Sequence, residues 1–147
     1  MIAGTPSPLG FAKVHFAVES SGMMIVADES CTGTRYYTEL VDEKPADLDG
    51  LMKAVADRYF SIDCSCFSPN TERLDNVVAL AGEFRVRGVV QSVLQYCHGY
   101  NIEAKAVEKA LAKRNIPSLK IVTDYSDEDI EQLRVRTDTF AELLKAK

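Results

Sequence analysis

Residues 89 to 101 read Val89-Val90-Gln91-Ser92-Val93-Leu94-Gln95-Tyr96-Cys97-His98-Gly99-Tyr100-Asn101. The first part is rich in β-branched and apolar residues, which is typical of a buried strand, and it leads into a thiol, an imidazole and a glycine. We predict a parallel strand that delivers Cys97 and His98 to its C-terminal end. In open α/β sheets ligands bind at that edge, because the strand-to-helix turns and the helix N-termini converge there.

Strand and helix signals alternate along the rest of the chain. Further strands are predicted over residues 1–4, 23–27 and 119–122, and helices follow each strand. Residues 23–27 are nearly all apolar, as expected of a parallel strand covered by helices on both faces. Right-handed crossovers then give a three-layer, doubly wound α/β domain with a four-stranded parallel sheet in the order 2-1-3-4.

Capping and turn residues predict where the helices begin and end. The first helix should bury Phe11, Val14 and Val18 on one face and end near Gly22, which can adopt a left-handed conformation. Asp47 should cap the second helix, and Ser68-Pro69 and Gly88 should begin and end the third. Asn101 and Asn115 should begin and end the fourth helix, and Ser126 with Asp129 should form a capping box for the last one.

Length and charge exclude several classes of protein. A chain of 147 residues with 46% hydrophobic residues forms one globular domain. The net charge is -5 and the basic residues are scattered, so we expect no nucleic-acid partner. No apolar run approaches the roughly 18 to 20 residues of a membrane span. We therefore expect a cytoplasmic protein with no membrane partner. The glycines of residues 4–10 lack the spacing of a dinucleotide fingerprint.

Four cysteines, Cys31, Cys64, Cys66 and Cys97, fall in loops that should gather at one sheet edge. Their spacing is not that of a zinc ribbon, and a Cys64–Cys66 disulfide would close a strained ring. Thiolates are the usual ligands of iron-sulfur clusters and of zinc. Free cysteines also occur as small buried hydrophobic residues, so packing roles in a non-catalytic α/β interaction domain, and a zinc site, both stay open.

Four motifs together resemble a known family. They are residues 29–33, the loop 62–70 with Arg73, residues 97–103, and residues 123–126 followed by 132–136. They look like the C-terminal domain of the 2-hydroxyacyl-CoA dehydratase (2-hydroxyglutaryl-CoA dehydratase D-component) and benzoyl-CoA reductase family, over essentially the whole chain. The number of cysteines is most similar to the double-cubane cluster branch, a homodimeric relative of the dehydratases.

The resemblance implies an iron-sulfur protein of the cytoplasm. Family members hold an oxygen-sensitive cluster between two α/β halves, and an ATP-dependent activator protein supplies a low-potential electron. In the dehydratases, which are lyases, a 2-hydroxyacyl-CoA then loses hydroxide through a ketyl radical. By position Cys97 matches a ligand of a 4Fe-4S cluster, and Cys31, Cys64 and Cys66 resemble further ligands of the double-cubane type. His98, Tyr100 and Asn101 would lie beside these ligands.

Family chains are more than twice as long, so we expect residues 1–147 to be one α/β domain, the C-terminal half of a two-domain protein. The missing half or a partner subunit would complete the cluster site and the acyl-CoA pocket. The isolated chain would then be inactive as a dehydratase or reductase, could lack its cluster, and could form a homodimer through its exposed surface. Relatives carry a cysteine in the first turn, where this chain has Thr5.

Overall fold

Four parallel strands form one sheet in the order β2-β1-β3-β4, as the sequence predicts. The computed structural model describes residues 1–6 and 12–146. The strands are β1 (Ile2–Gly4), β2 (Asp28–Glu29), β3 (Val89–Leu94) and β4 (Ser118–Thr123). Ile2 lies opposite both Asp28 and Val90, and Leu94 lies opposite Thr123. Because all four strands run the same way, their C-terminal ends share one edge of the sheet.

Helices cover both faces of the sheet and give the expected three layers. They are α1 (Lys13–Ser20), α2 (Leu48–Phe60), α3 (Thr71–Glu83), α4 (His98–Ala112) and α5 (Ile130–Lys145), with a short 3-10 helix at Thr34–Tyr36. One core cluster joins α1 and α5 to the sheet through buried residues that include Val18, Ile121 and Leu133. A second cluster, which includes Val77, Val89 and Leu111, joins α3 and α4 to the other face. None of the helices within residues 1–6 and 12–146 has the length and apolar character needed to cross a membrane.

The apolar segment before β2 differs from the prediction. Only Asp28 and Glu29 pair with β1, although the carbonyl of Ala27 also accepts a hydrogen bond from the Ile2 N–H. Met23 and Ile25 pack against the cluster of α1 and α5, whereas Met24 is 79% exposed. The prediction of a strand covered on both faces was therefore wrong. This segment lies at the sheet edge, where its side chains alternate between the core and solvent.

The helix boundaries show which capping predictions hold. The Asp47 carboxylate caps α2 by accepting the N–H of Gly50 at 2.8 Å. Gly22 and Asn115 have positive φ angles beyond α1 and α4, as expected. Val14 and Val18 are buried as predicted, and Phe11 lies outside the described residues.

Helix α3 differs from the prediction at both of its ends. Helix α3 begins at Thr71 instead of Pro69, and it ends where Arg85 has a φ of 49°, before the predicted stop at Gly88. Val86 donates its N–H to the Ala81 carbonyl at 2.8 Å, which closes the last turn without a glycine. Gly88 is needed instead for packing, because a β-carbon there would lie 2.9 Å from Phe140.

The predicted caps of α4 and α5 are wrong. Helix α4 begins at His98, so Asn101 lies in its first turn, and the Asn101 side chain accepts a hydrogen bond from Lys120. Asp129 precedes α5 but caps no backbone N–H, because its carboxylate binds Lys13 and the Thr123 hydroxyl. In each case a partner distant in sequence competes with the local capping bond.

Candidate functional site

Three cysteine-bearing loops meet at the C-terminal edge of the sheet. Cys31 lies two residues after β2, and Cys97 stands immediately before α4. The loop with Cys64 and Cys66 joins α2 to α3 and packs on the first turn of α4. A β-carbon on Gly99 would lie 3.0 Å from the Ser65 Oγ, so the absence of a side chain at Gly99 permits this close approach.

Tyr100 lies beside two of the four thiols, Cys31 and Cys64. Its hydroxyl oxygen lies 3.8 Å from the Cys31 Sγ, and it also forms a hydrogen bond with Cys64. The Cys64 and Cys66 thiols are hydrogen-bonded to each other. Cys31 and Cys64 therefore share one buried phenol, and Cys66 is joined to them through Cys64. Within residues 1–6 and 12–146, no three Cys, His, Asp or Glu side chains are close enough together to hold a single metal ion.

The fourth cysteine has a different setting. The Cys97 N–H donates to the Leu94 carbonyl at 3.0 Å, and the Cys97 carbonyl accepts from the Asn101 N–H at 3.0 Å. These bonds form the turn from β3 into α4 and place Cys97 on the same edge as the other thiols. Its neighbours His98 and Asn101 are exposed, whereas Tyr100 is buried.

Thr5 occupies the first turn, where the resemblance leads one to expect a cysteine. It is buried, and its hydroxyl donates to the Ser92 carbonyl while accepting the Leu94 N–H, both at 3.0 Å. Both hydrogen bonds extend the contact between β1 and β3. Thr5 therefore has a complete structural role at the sheet edge.

The two neighbouring thiols differ in acidity. Burial raises the pKa of the Cys64 thiol, but the Cys66 N–H and thiol, the Tyr100 hydroxyl and the charge of Arg35 outweigh it and bring the pKa below its ordinary value. The pKa of Cys66 is raised, mainly because its thiol donates to Cys64. Cys64 therefore loses its proton before Cys66 does, and the resulting thiolate is the form of cysteine that binds metals.

A buried ion network lies behind the thiols. We use this name for Glu29, Arg35, Asp63, Arg73 and Glu103. The Glu29 carboxylate, 3% exposed as a residue, accepts hydrogen bonds from Arg35 and from the Arg73 Nη2 at 2.8 Å. Arg73 also pairs with Glu103, and the Arg35 Nε lies 3.1 Å from the Asp63 Oδ1 without the alignment of a hydrogen bond.

Burial and pairing act against each other on the pKa values of the network. Burial raises the pKa of Glu29, and the two guanidinium groups oppose that shift. Burial lowers the pKa of Arg35, but the Glu29 carboxylate reverses this effect, so the pKa of Arg35 lies above its usual range. Burial also raises the pKa of Tyr100. Its hydroxyl therefore keeps its proton and can donate to a neighbouring thiolate.

The network also holds the Cys64 loop in place. Asn70 donates its amide N–H to the Cys64 carbonyl at 3.0 Å and to Glu103 at 2.7 Å. The Arg73 guanidinium lies over the Tyr100 ring, 4.9 Å from its centre. Glu29 and Arg73 both belong to the motifs found in the sequence. Their pairing was not predicted, because 44 positions separate them.

Comparison with known proteins identifies the family. Residues 1–144 match the family model described as 2-hydroxyglutaryl-CoA dehydratase, D-component. The chain belongs to this family. It is 38% identical over 98% of its length to the putative dehydratase subunit YjiM of Escherichia coli K12. It is 26% identical to the (R)-phenyllactyl-CoA dehydratase beta subunit of Clostridium sporogenes and to the (R)-2-hydroxyglutaryl-CoA dehydratase subunit beta of Acidaminococcus fermentans, over 86% and 87% of its length.

The chain spans only about a third of these relatives, 37%, 33% and 34% of their respective lengths. The match confirms the resemblance seen in the sequence motifs.

Proposed function

We propose that this D-component chain is the cluster-binding domain of a 2-hydroxyacyl-CoA dehydratase-like or double-cubane-type enzyme. In the intact protein it would receive low-potential electrons from an ATP-dependent activator, and the remaining chain or a partner subunit would complete the acyl-CoA site. The observation that carries the proposal is the convergence of Cys31 and Cys64 on Tyr100 and Arg35 at the C-terminal edge of the sheet, with Cys66 beside Cys64.

The residues present fit an iron-sulfur cluster in their chemistry. Cys97 would be a ligand of a 4Fe-4S cluster, and Cys31, Cys64 and Cys66 would be the further ligands of a double-cubane arrangement. A bound cluster would supply one-electron chemistry at low potential. The spread of the thiols over three loops favours a cluster of several irons over one zinc ion, which needs four ligands within about 2.3 Å of a single point.

The protein's own groups prepare the site for negatively charged thiolates. Arg35 Nη1 donates to the Cys31 Sγ at 3.5 Å, and Tyr100 keeps a proton that it can donate to Cys31 or Cys64. Both groups are held by buried partners, so they need no rearrangement when the thiols lose their protons. His98 and Asn101 are exposed at the start of α4, where the rest of the protein could contact them.

Metal analysis tests this function directly. The chain is expressed and reconstituted anaerobically with iron and sulfide, and bound iron, acid-labile sulfide and the broad visible absorption of iron-sulfur clusters are measured. We expect bound iron and sulfide in equal amounts, and their loss in a variant with serine at all four cysteines. A wild-type chain that binds no iron, both alone and reconstituted together with the rest of the protein, would contradict the proposal, and about one zinc per chain in the aerobic protein would support a zinc site instead.

A second candidate function is a non-catalytic interaction domain, and helix α2 favours it. The apolar side chains of its outer face, Leu48, Met52, Val55 and Tyr59, are exposed, and only Ala54 of this helix is buried. Exposed apolar surface of this kind is typical of a protein interface. If the cysteines only pack, the variant with four serines should keep the stability and the partner binding of the wild-type chain. Partner binding that is lost when metal is removed would exclude this function.

A further inference from the structure

Arg35 lies beside the candidate cluster site because the loop after β2 folds back on that strand. A β-carbon at Gly33 would lie 2.0 Å from the Asp28 carbonyl oxygen, so only glycine permits this close approach. The Thr34 hydroxyl donates to the same carbonyl at 3.0 Å. The 3-10 helix that follows then directs the buried Arg35 side chain back towards Cys31.

The Arg35 guanidinium joins the buried ion network to the thiols. One terminal nitrogen, Nη2, donates to Glu29. The other, Nη1, lies 2.7 Å from the Tyr100 hydroxyl and 3.5 Å from the Cys31 Sγ. A planar fork of donors can serve all these partners at once, which the single ammonium of a lysine cannot do.

The two buried arginines of the network have different partners. Arg73 shares Glu29 with Arg35 and also pairs with Glu103, and its guanidinium lies over the ring of Tyr100. Arg35 also binds Glu29, but its Nη1 atom faces the Tyr100 hydroxyl and the Cys31 thiol. Arg35 is therefore the member of this pair whose charge acts on the cysteines.

We propose that Arg35 is a positioning residue that holds Cys31 and Tyr100 for cluster binding and makes reduction at this site easier. This inference rests on the proposed function. Addition of one electron to a bound cluster would add one negative charge next to the thiolate ligands. A fixed cation at hydrogen-bond distance from a ligand sulfur would stabilise that charge. Charge and hydrogen bonds at the ligand sulfurs are among the properties that set cluster potentials.

Four variants of the chain separate charge from packing. Arg35→Gln removes the cation, and Arg35→Lys keeps the charge but loses the fork. Tyr100→Phe removes only the hydroxyl between Arg35 and the thiols, which is a milder change if Arg35→Gln does not fold. Arg73→Gln disturbs the same buried network away from the Cys31 thiol and is the matched control.

Each variant is reconstituted anaerobically, and its midpoint potential and its rate of iron loss to a chelator are measured. For Arg35→Gln we expect the ratio of reduced to oxidised protein at a fixed potential to fall about tenfold, which is a shift of about 59 mV to lower potential. Tyr100→Phe should shift the potential in the same direction by less. Arg35→Lys should keep the potential closer to wild type but lose iron faster, because Cys31 is no longer held.

The outcomes separate a failure of the proposed function from a failure of the role proposed for Arg35. If wild-type protein binds no iron, even when it is reconstituted together with the rest of the protein, the proposed function is wrong. If it binds iron but Arg35→Gln and Tyr100→Phe leave both potential and iron loss unchanged, the role of Arg35 is wrong while the proposed function stands. Equal effects of Arg73→Gln and Arg35→Gln would also overturn that role, because the network as a whole would then be responsible.

Discussion

Replacement of Glu29 by glutamine tests the buried ion network. The Glu29 carboxylate lies between two buried arginines and accepts from both, at 2.8 Å from the Arg73 Nη2. Glutamine has nearly the same shape, but its NH2 group would face one guanidinium with donor against donor. Removal of one partner from a buried ion pair costs about 3–5 kcal/mol, since the remaining charge stays buried without compensation.

That cost is large for a domain of this size. A typical domain is stable by only about 5–15 kcal/mol, so Glu29→Gln should lose a substantial part of its stability. The expected fall in melting temperature is on the order of 10 °C. Urea unfolding, followed by circular dichroism at neutral pH, measures the loss as a lower midpoint with an unchanged slope.

Glu131→Gln provides the matched control for this experiment. The substitution is the same, but the ion pair of Glu131 with Arg134 lies on the exposed surface of α5. Exposed pairs contribute only about 0–1 kcal/mol. If Glu29→Gln and Glu131→Gln lower the midpoint by the same small amount, the buried network contributes no more to stability than an exposed ion pair.

Three further predictions concern the scaffold around the site. Burial raises the pKa of Asp129, but its bonds to Lys13 and Thr123 outweigh burial and hold the pKa below its usual value. The ionised carboxylate therefore stabilises the fold above about pH 4, and this stabilisation is lost as the pH falls. Asp129→Asn should thus flatten the decrease of the urea midpoint between neutral pH and pH 3, and an unchanged decrease would refute the assignment. Leu111→Ala should cost about 2–5 kcal/mol because Leu111 is fully buried, whereas Ile102→Ala on the same helix, 77% exposed, should cost far less; similar losses would place the core elsewhere. Asp47→Ala should cost about 1 kcal/mol in thermal unfolding through loss of the α2 cap, and no change would show that the cap is dispensable.

Local sequence patterns determined much of the architecture. The alternation of strands and helices, the order 2-1-3-4 and the cap at Asp47 follow from neighbouring residues and from the handedness of crossovers. The exposure of Met24 could not be predicted in this way. An apolar residue looks the same in a central strand and at an edge, and only the packed helices decide which side is covered.

Capping side chains were predictable only where nothing distant competed for them. Asp47 caps its helix, whereas Asp129 and Asn101 bind Lys13 and Lys120, which approach from elsewhere in the chain. The free energies of a capping bond and of such a tertiary bond are similar, so the sequence near a helix end does not decide between them.

The sequence by itself determined the fold class, the family and the sheet edge to which the cysteine loops belong, because these depend on periodicity and on short motifs. Only the tertiary structure decided that Cys31 and Cys64 share one buried phenol, and that two arginines and Glu29 lie behind them. The physical reason is distance along the chain. Glu29 and Arg73 are 44 positions apart, and in the sequence each looks like an ordinary surface residue. They can be buried because they neutralise each other, and this pairing exists only after folding.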